Sequence, residues 1–165
     1  MKERPKLVIP KTMLERVANI IGYSIFIGAL IYVIITFPSL PAEVPAHFGA
    51  DGEVNRYGSK YEIIVLVVIP LFLIPGLKAL ERFPEMHNYP RRMDESNIEE
   101  FYLNSRMLLN LTTNGTMIVF AIIFIEIINH GLIGKSIFGA SLIPLIILLV
   151  LGPMAWKMIE RRKIK

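Results

Sequence analysis

The sequence contains no cysteine among its 165 residues. This absence excludes a disulfide-stapled ectodomain, thiolate metal sites and thiol catalysis. The chain also lacks a His-Glu-x-x-His zinc motif, a phosphate-binding loop and a dinucleotide fingerprint. No Ser-His-Asp arrangement is recognisable either. We therefore expect a protein that is not an enzyme and that needs no cofactor.

Long apolar runs are what the sequence has instead. Hydrophobic residues make up 53% of the chain, above the roughly 45–50% of soluble domains. They cluster in four blocks of about 20 residues, a length that matches the roughly 30 Å hydrocarbon core of a bilayer. The first block is longer than the apolar region of a signal peptide, which favours a retained helix. We predict an all-α integral membrane protein with four transmembrane helices, at residues 17–37, 61–80, 107–128 and 137–157.

The Lys and Arg residues are distributed unevenly around these blocks. Most of them lie in the N-terminal tail, around the segment between blocks two and three, and in the C-terminal tail; the exceptions are Arg56, Lys60 and Lys135. The positive-inside rule then predicts a plasma-membrane protein with both termini in the cytoplasm. The predicted cytoplasmic segments are 1–16, 81–106 and 158–165, and the predicted external loops are 38–60 and 129–136. The net charge of +4 is read as topology, so we expect the lipid bilayer and not nucleic acid as a partner.

The loop between the first two helices contains more proline, glycine and aromatic residues than a plain connector requires. Its three prolines favour an extended start. The dipeptide Asp51-Gly52 predicts a two-residue hairpin turn. In that hairpin His47 lies opposite Arg56, and Phe48 lies opposite Asn55. We expect an ordered cap over the external ends of the helices, with His47 as a hydrogen-bonding residue.

Ionisable residues near the external ends of the helices form a second candidate site. Glu126 lies within an apolar block, Glu62 begins the second helix, and His130 follows the third. If these helices are neighbours, the three side chains meet near polar residues of the loop. Those loop residues are His47, Asp51 and Glu53. Such a cluster could bind a divalent cation, carry protons or hold a basic ligand. Because no ligand pair at i, i+4 and no His-x-His occurs, we expect anchoring or hydrogen bonding and no metal site.

Three smaller patterns concern the helices. Ser24-xxx-Gly28 has the small-residue spacing that lets another helix approach, although such residues are also common in membrane helices. Ser96 and Glu99 have the form of a capping box, which predicts that the third helix begins near Asn97. Three polar residues share one face of that helix and are expected to form interhelical hydrogen bonds. They are Asn110, Thr113 and Asn114.

The predicted hairpin also carries a recognisable pattern. It reads Pro-x-His-Phe, then a turn, then Gly-Glu-Val-Asn-Arg-Tyr-Gly-Ser-Lys. This pattern closely resembles the signature of the SdpI-type immunity proteins, a family of small bacterial and archaeal membrane proteins that is described as a domain of unknown function. The resemblance spans about residues 30–80, and Gly49 stands where family members often have Asn. The residues that carry it are Pro45, His47, Phe48, Gly52, Asn55, Tyr57, Gly58, Ser59 and Lys60.

The resemblance implies a function that the residues alone do not specify. SdpI-type proteins protect a cell from a secreted peptide toxin and hold a repressor at the membrane; they carry further helices beyond the signature. The implication is a multi-pass protein that binds or senses an extracellular antimicrobial peptide and has a cytoplasmic regulator as a partner. Two alternatives stay open: a small transporter or permease subunit with a cation or proton path near Glu126, and an accessory factor of a membrane complex.

Overall fold

The computed structural model describes residues 4–165, so the first three residues of the predicted tail 1–16 lie outside the described part. It contains four long helices and one hairpin. The elements, in chain order, are α1 Met13–Thr36, β1 Glu43–Phe48, β2 Val54–Ser59, α2 Glu62–Glu81, α3 Ile98–Ile133 and α4 Leu142–Lys163.

Each of the four helices is long and apolar enough to cross a membrane. Their outward surfaces carry large exposed apolar side chains, such as Ile34, Phe72 and Leu148. An exposed apolar surface of this extent is unfavourable in water and suits a lipid environment. The predicted all-α membrane protein with four transmembrane helices is confirmed.

Helix α3 is the centre of the bundle. Helices α1, α2 and α4 each pack against it, and its apolar side chains Met117, Ala121, Phe124 and Ile128 are buried in the core. With 36 residues it is about 54 Å long, longer than the hydrocarbon core is thick. It therefore extends well beyond the predicted block 107–128.

The capping residues differ from the prediction. Ser96 does not cap α3, because its hydroxyl donates to Asp94 Oδ1 at 2.6 Å; Asn97 is the N-cap residue and makes no side-chain capping bond. A capping box forms at α1 instead. Thr12 Oγ1 accepts the backbone N–H of Glu15 at 3.2 Å, and Glu15 Oε2 accepts the N–H of Thr12 at 2.7 Å. This box starts α1 at Met13, four residues before the predicted boundary.

The alternating direction of the helices gives the bundle two distinct ends. The terminal end holds the start of α1, the end of α2, the start of α3 and the end of α4; the hairpin end holds β1, β2 and the α3–α4 connection. At the terminal end Arg4 donates to the carbonyl of His87 at 2.5 Å, and Arg92 donates to that of Arg161 at 2.5 Å. These bonds join both tails to the α2–α3 segment.

Close helix contacts occur at glycines other than the predicted one. A Cβ atom at Gly22 of α1 would overlap the side chain of Asn114, and one at Gly115 of α3 would overlap the carbonyl of Leu149 in α4. At Gly28 nothing lies within 4 Å of the Cβ position, and Ser24 is exposed. The Ser24-xxx-Gly28 pattern therefore does not serve packing within the described chain.

Candidate functional site

The hairpin turn is one residue longer than predicted. Gly52 N–H donates to the carbonyl of Gly49 at 3.0 Å, and Gly49 N–H donates to that of Glu53 at 2.8 Å. This pattern encloses a three-residue loop in which the last residue takes a positive φ. Gly52 has φ +80°, a conformation that glycine adopts without steric cost. The turn requires Gly52, but it is not the two-residue turn predicted from Asp51-Gly52.

The strand register is confirmed at one pair and corrected at the next. His47 lies opposite Arg56, as predicted, whereas Phe48 lies opposite Val54 and not Asn55. The register shifts on both sides of His47. Such irregularities bend a strand and re-aim its side chains. Phe48 itself lies beside His130 of α3.

One face of the hairpin is packed against α3. Leu40 and Val44 are buried and lie next to Gly131, where a Cβ atom would be 3.5 and 3.3 Å from their side chains. The rings of Phe48 and Tyr57 lie 6.5 and 6.1 Å from the ring of His130. The hairpin is therefore held by apolar and aromatic contacts along its length.

Several residues of the signature have structural roles at the base of the hairpin. Lys60 Nζ donates to the carbonyl of Leu40 at 3.1 Å and lies 5.2 Å from the ring centre of Phe37. Ser59 Oγ accepts the N–H of Tyr61 at 3.4 Å. Pro45 is buried, and a Cβ atom at Gly58 would overlap the carboxylate of Glu62. These residues shape the hairpin and attach it to the helices.

The remaining signature residues face outward and are available for contact. His47 Nδ1 and Asn55 Oδ1 are hydrogen-bonded at 2.6 Å across the strands. Tyr57 is 53% exposed, and Arg56 forms an exposed ion pair with Glu62 at 3.1 Å. We call His47, Asn55, Arg56 and Tyr57 the outer hairpin face, because their side chains are exposed; the ring of Tyr57 also borders that of His130. It combines a flat aromatic ring with donors and acceptors held in fixed positions.

The acidic and histidine residues of the second candidate site each have their own contacts. Glu62 pairs with Arg56, and His130 lies between two aromatic rings. Glu126 is fully buried, and its Oε2 accepts the backbone N–H groups of Ile137 and Phe138 at 3.0 and 3.2 Å. Within residues 4–165 no group of three or more His, Asp or Glu side chains is arranged to hold a metal ion. Glu126 anchors the α3–α4 connection.

A polar cluster that the sequence did not reveal lies at the other end of the bundle. Asn19 Oδ1 of α1 accepts bonds from Lys78 Nζ of α2 at 2.8 Å and from Asn110 Nδ2 and Asn114 Nδ2 of α3 at 3.0 and 2.9 Å. Glu81 is buried and accepts from Lys78 at 2.8 Å and from Asn110 at 3.0 Å. We call these five residues the polar cluster.

The polar cluster confirms part of the sequence prediction. Asn110 and Asn114 do form interhelical hydrogen bonds, as predicted, but Thr113 donates to the carbonyl of Leu109 in its own helix at 2.7 Å. Lys78 and Glu81 lie at the end of the second apolar block. Their i, i+3 spacing was the one available signal that they could pair.

Comparisons with known proteins cover the hairpin and its flanking helices. The family described as "Domain of unknown function (DUF1648)" matches residues 24–76, which run from α1 through the hairpin into α2. An uncharacterised protein of Archaeoglobus fulgidus is 35% identical over 78 residues, covering 45% of this chain and 40% of the relative. The chain thus matches less than half of that relative's length. No solved structure matches the chain. The similarity supports a multi-pass membrane protein with a domain of unknown function.

Proposed function

We propose that the protein is a membrane-embedded binding protein of the SdpI immunity type, whose hairpin binds an extracellular antimicrobial peptide. In this proposal the hairpin end faces the outside of the plasma membrane. The concentration of Lys and Arg at the terminal end supports that orientation. The match of DUF1648 to residues 24–76 supports the hairpin and its two helices as the common unit.

The observation that carries the proposal is the outer hairpin face. Its side chains are exposed, yet the hairpin is held on α3 through Val44 and Phe48. A surface that is already ordered loses little conformational entropy when it binds a partner. Tyr57 offers apolar area with a hydroxyl, and Tyr is enriched at the centres of protein interfaces.

The geometry also suggests how a peptide would bind. Strand β2 is exposed over most of its length, and within residues 4–165 its only strand neighbour is β1. An extended peptide can add to such an edge through backbone hydrogen bonds, while side chains of the edge strand give specificity. We propose this mode of binding, with Asn55 and Tyr57 as the specificity contacts.

The transport alternative receives less support from the structure. A cation or proton path from Glu126 to the polar cluster would have to pass Met117, Ala121 and Phe124, all of which are buried apolar side chains. Asn114 and Glu126 are about 18 Å apart along α3, and a charge within apolar surroundings is costly. An accessory role in a membrane complex has no specific observation in its favour.

A cytoplasmic regulator would meet the terminal end of the bundle. The α2–α3 segment there contains exposed charged residues of both signs, including Arg91, Asp94 and Glu95. Hydrogen bonds from Ser96 lower the pKa of the Asp94 carboxyl. We propose this segment as the docking surface for a regulator of the kind that the SdpI resemblance implies.

The test is a tolerance assay in a bacterial host. Wild-type protein and the variants His47→Ala and Tyr57→Ala are expressed in a sensitive strain that is challenged with a panel of purified secreted antimicrobial peptides. We expect the wild type to raise the inhibitory concentration of at least one peptide and both variants to lose that gain at equal abundance in the membrane. Tyr61→Ala is the matched control, because Tyr61 is also exposed at the hairpin end but lies outside the outer face.

Unchanged sensitivity of the wild-type strain to every peptide would count against the proposal. Full tolerance of both variants would contradict the role of the outer hairpin face, even if the immunity function itself held.

A further inference from the structure

Helices α1 and α2 leave a long groove between them on the outer surface of the bundle. Both pack against α3, and the space between them has a volume of about 550 Å³. Its walls are apolar over most of their length, with Phe26, Ile27 and Leu30 from α1 and Leu71 and Ile74 from α2. From Pro70 to Arg82 of α2 the groove runs about 18 Å along the helix axis, more than half of the roughly 30 Å hydrocarbon core.

The groove changes character at the terminal end of the bundle. There it is lined by Lys78 and Arg82, and the same two residues line a second cavity of about 520 Å³ next to it. That cavity is bordered also by Lys11 and Arg106. At the ends of the helices the apolar groove thus opens into this second cavity, which is lined by cationic side chains. We call it the chamber.

The charges that face this chamber do not balance. Its lining contains four cations and one carboxylate, Glu81. Glu81 is paired with Lys78 and Lys11, and Arg106 is neutralised by Glu15. Arg82 has neither a hydrogen bond from its guanidinium nor an ion pair among residues 4–165, and its side chain is exposed. Among residues 4–165 an excess of positive charge therefore remains, and the guanidinium of Arg82 lies at the groove entrance.

We infer that this groove is a binding site for one acyl chain of an anionic phospholipid, with the phosphate-containing headgroup held by Arg82 and the neighbouring lysines. The apolar walls match a hydrocarbon chain in length and chemistry. The cations lie where the headgroup of such a lipid would be, at the ends of transmembrane helices. Guanidinium groups bind phosphate oxygens through paired hydrogen bonds.

The charge of the chamber selects the class of lipid. A zwitterionic headgroup such as phosphatidylcholine brings its own cation into a chamber that already has excess positive charge. An anionic headgroup such as phosphatidylglycerol does not. Each basic side chain near an anionic headgroup contributes about 1 kcal/mol to binding. The preference for anionic over zwitterionic lipid therefore depends on the headgroup charge. The acyl chain increases the affinity for both lipids equally.

The test uses the full-length protein in a mild detergent and counts bound lipid by native mass spectrometry. The probes are phosphatidylglycerol and phosphatidylcholine with identical acyl chains. We expect the wild type to retain phosphatidylglycerol about fivefold better. Arg82→Gln should lower phosphatidylglycerol binding by about fivefold and leave phosphatidylcholine unchanged, whereas Arg82→Lys should keep most of the preference.

Two further variants separate the groove from general surface charge. Ala79→Phe places a ring in the groove wall and should weaken the binding of both lipids. Arg162→Gln removes an exposed charge from α4 and should leave both unchanged. Both substituted positions are exposed, and unfolding curves of the variants verify that the fold is retained.

Three results would overturn the inference. Equal retention of the two lipids by the wild type would remove the headgroup selectivity. An equal effect of Arg162→Gln and Arg82→Gln would indicate non-specific attraction to a basic surface. Binding of soluble glycerol phosphate as tight as that of phosphatidylglycerol would make the chamber a site for free phosphate compounds and not for lipid.

Discussion

Arg106 of α3 and Glu15 of α1 form a buried ion pair through two parallel hydrogen bonds, with Nε 2.8 Å from Oε1 and Nη2 3.1 Å from Oε2. Glu15 has 0% of its surface exposed and Arg106 8%. The guanidinium also donates to the carbonyls of Ile9 and Pro10 at 2.5 and 2.8 Å. One side chain therefore attaches both α1 and the preceding tail to the central helix.

Breaking this pair should destabilise the protein strongly. In Arg106→Gln the carboxylate of Glu15 stays buried without its partner, and removal of one member of a buried pair costs about 3–5 kcal/mol. We expect a loss of that size in the free energy of unfolding, measured in detergent by denaturant titration.

The matched control is Arg16→Gln, which removes an exposed charge from the adjacent residue and should change the stability by less than about 0.5 kcal/mol. The double variant Glu15→Gln/Arg106→Gln should lose less than the sum of the two single variants. Additive losses would contradict a direct interaction between the two side chains.

The same pair shows why the sequence predicts the architecture but not the polar contacts within it. Four helices can be predicted from four apolar blocks, because the thickness and the apolar character of the hydrocarbon core determine the length and the composition of a spanning segment. Which polar side chains pair with each other, however, depends on the tertiary structure. Arg106 and Glu15 are 91 positions apart, and from the sequence both resemble boundary residues of transmembrane helices. Glu15 falls in the predicted tail 1–16 because the continuous apolar run begins only at Val17, whereas the Thr12–Glu15 capping box starts α1 at Met13.

Close packing of α1 on α3 should depend on Gly22 and not on Gly28. A methyl group at Gly22 would overlap the side chain of Asn114, whereas the same position at Gly28 is open. We expect Gly22→Ala to destabilise the protein by about 1–3 kcal/mol because of overpacking. Gly28→Ala should be neutral or stabilising, by up to about 1 kcal/mol, because Ala favours the helix. Thermal unfolding of both variants measures the difference, and equal effects would contradict the close contact at Gly22.

The tip of the hairpin should be sensitive to substitution of Gly52. Its φ of +80° disfavours other residues, and a Cβ atom there would overlap the backbone of Gly139 in the α3–α4 connection. Gly139 also has a positive φ, +49°, but nothing lies within 4 Å of its Cβ position. Gly139→Ala should therefore show strain alone, about 1–2 kcal/mol, and Gly52→Ala a larger loss. The exchange rates of the backbone amides in β1 and β2 measure this loss. If Gly139→Ala raises these rates as much as Gly52→Ala does, the close contact between Gly52 and Gly139 is absent.

The alkaline stability of the protein should depend on Tyr89. Burial raises the pKa of its phenol to about 12, above the ordinary value of about 10. The unfolded chain thus loses this proton first, so the contribution of Tyr89 is complete below pH 10 and is lost between about pH 10 and 12. Tyr89→Phe should reduce the fall in unfolding free energy across this window. An identical pH dependence in both proteins would show that Tyr89 does not titrate abnormally.

The candidate site was predictable to the extent that local chemistry determines it. The need for glycine at position 52 follows from turn propensity. The partners of Phe48 and His47 do not, because the turn is one residue longer than the two-residue type and the register then shifts at His47. The contacts of Glu62, Glu126 and His130 were likewise beyond the sequence, because each of them depends on how the hairpin and the helices pack together.

Glu126 should be essential for the connection between α3 and α4 and not for ion flux. Its Oε2 accepts two backbone N–H groups, those of Ile137 and Phe138, while Oε1 is buried without a hydrogen-bond partner among the described residues. Glu126→Gln replaces the carboxyl group by an amide, whose oxygen is a weaker acceptor for these two N–H groups. We expect a loss of about 1–3 kcal/mol and faster hydrogen exchange at the amides of Ile137 and Phe138. Glu53→Gln, at an exposed carboxylate of the hairpin tip, is the control and should leave both amides unaffected.

The flux experiment uses proteoliposomes. The wild type and Glu126→Gln should give the same cation and proton leak as empty vesicles. A wild-type flux that Glu126→Gln abolishes would instead establish the transport alternative.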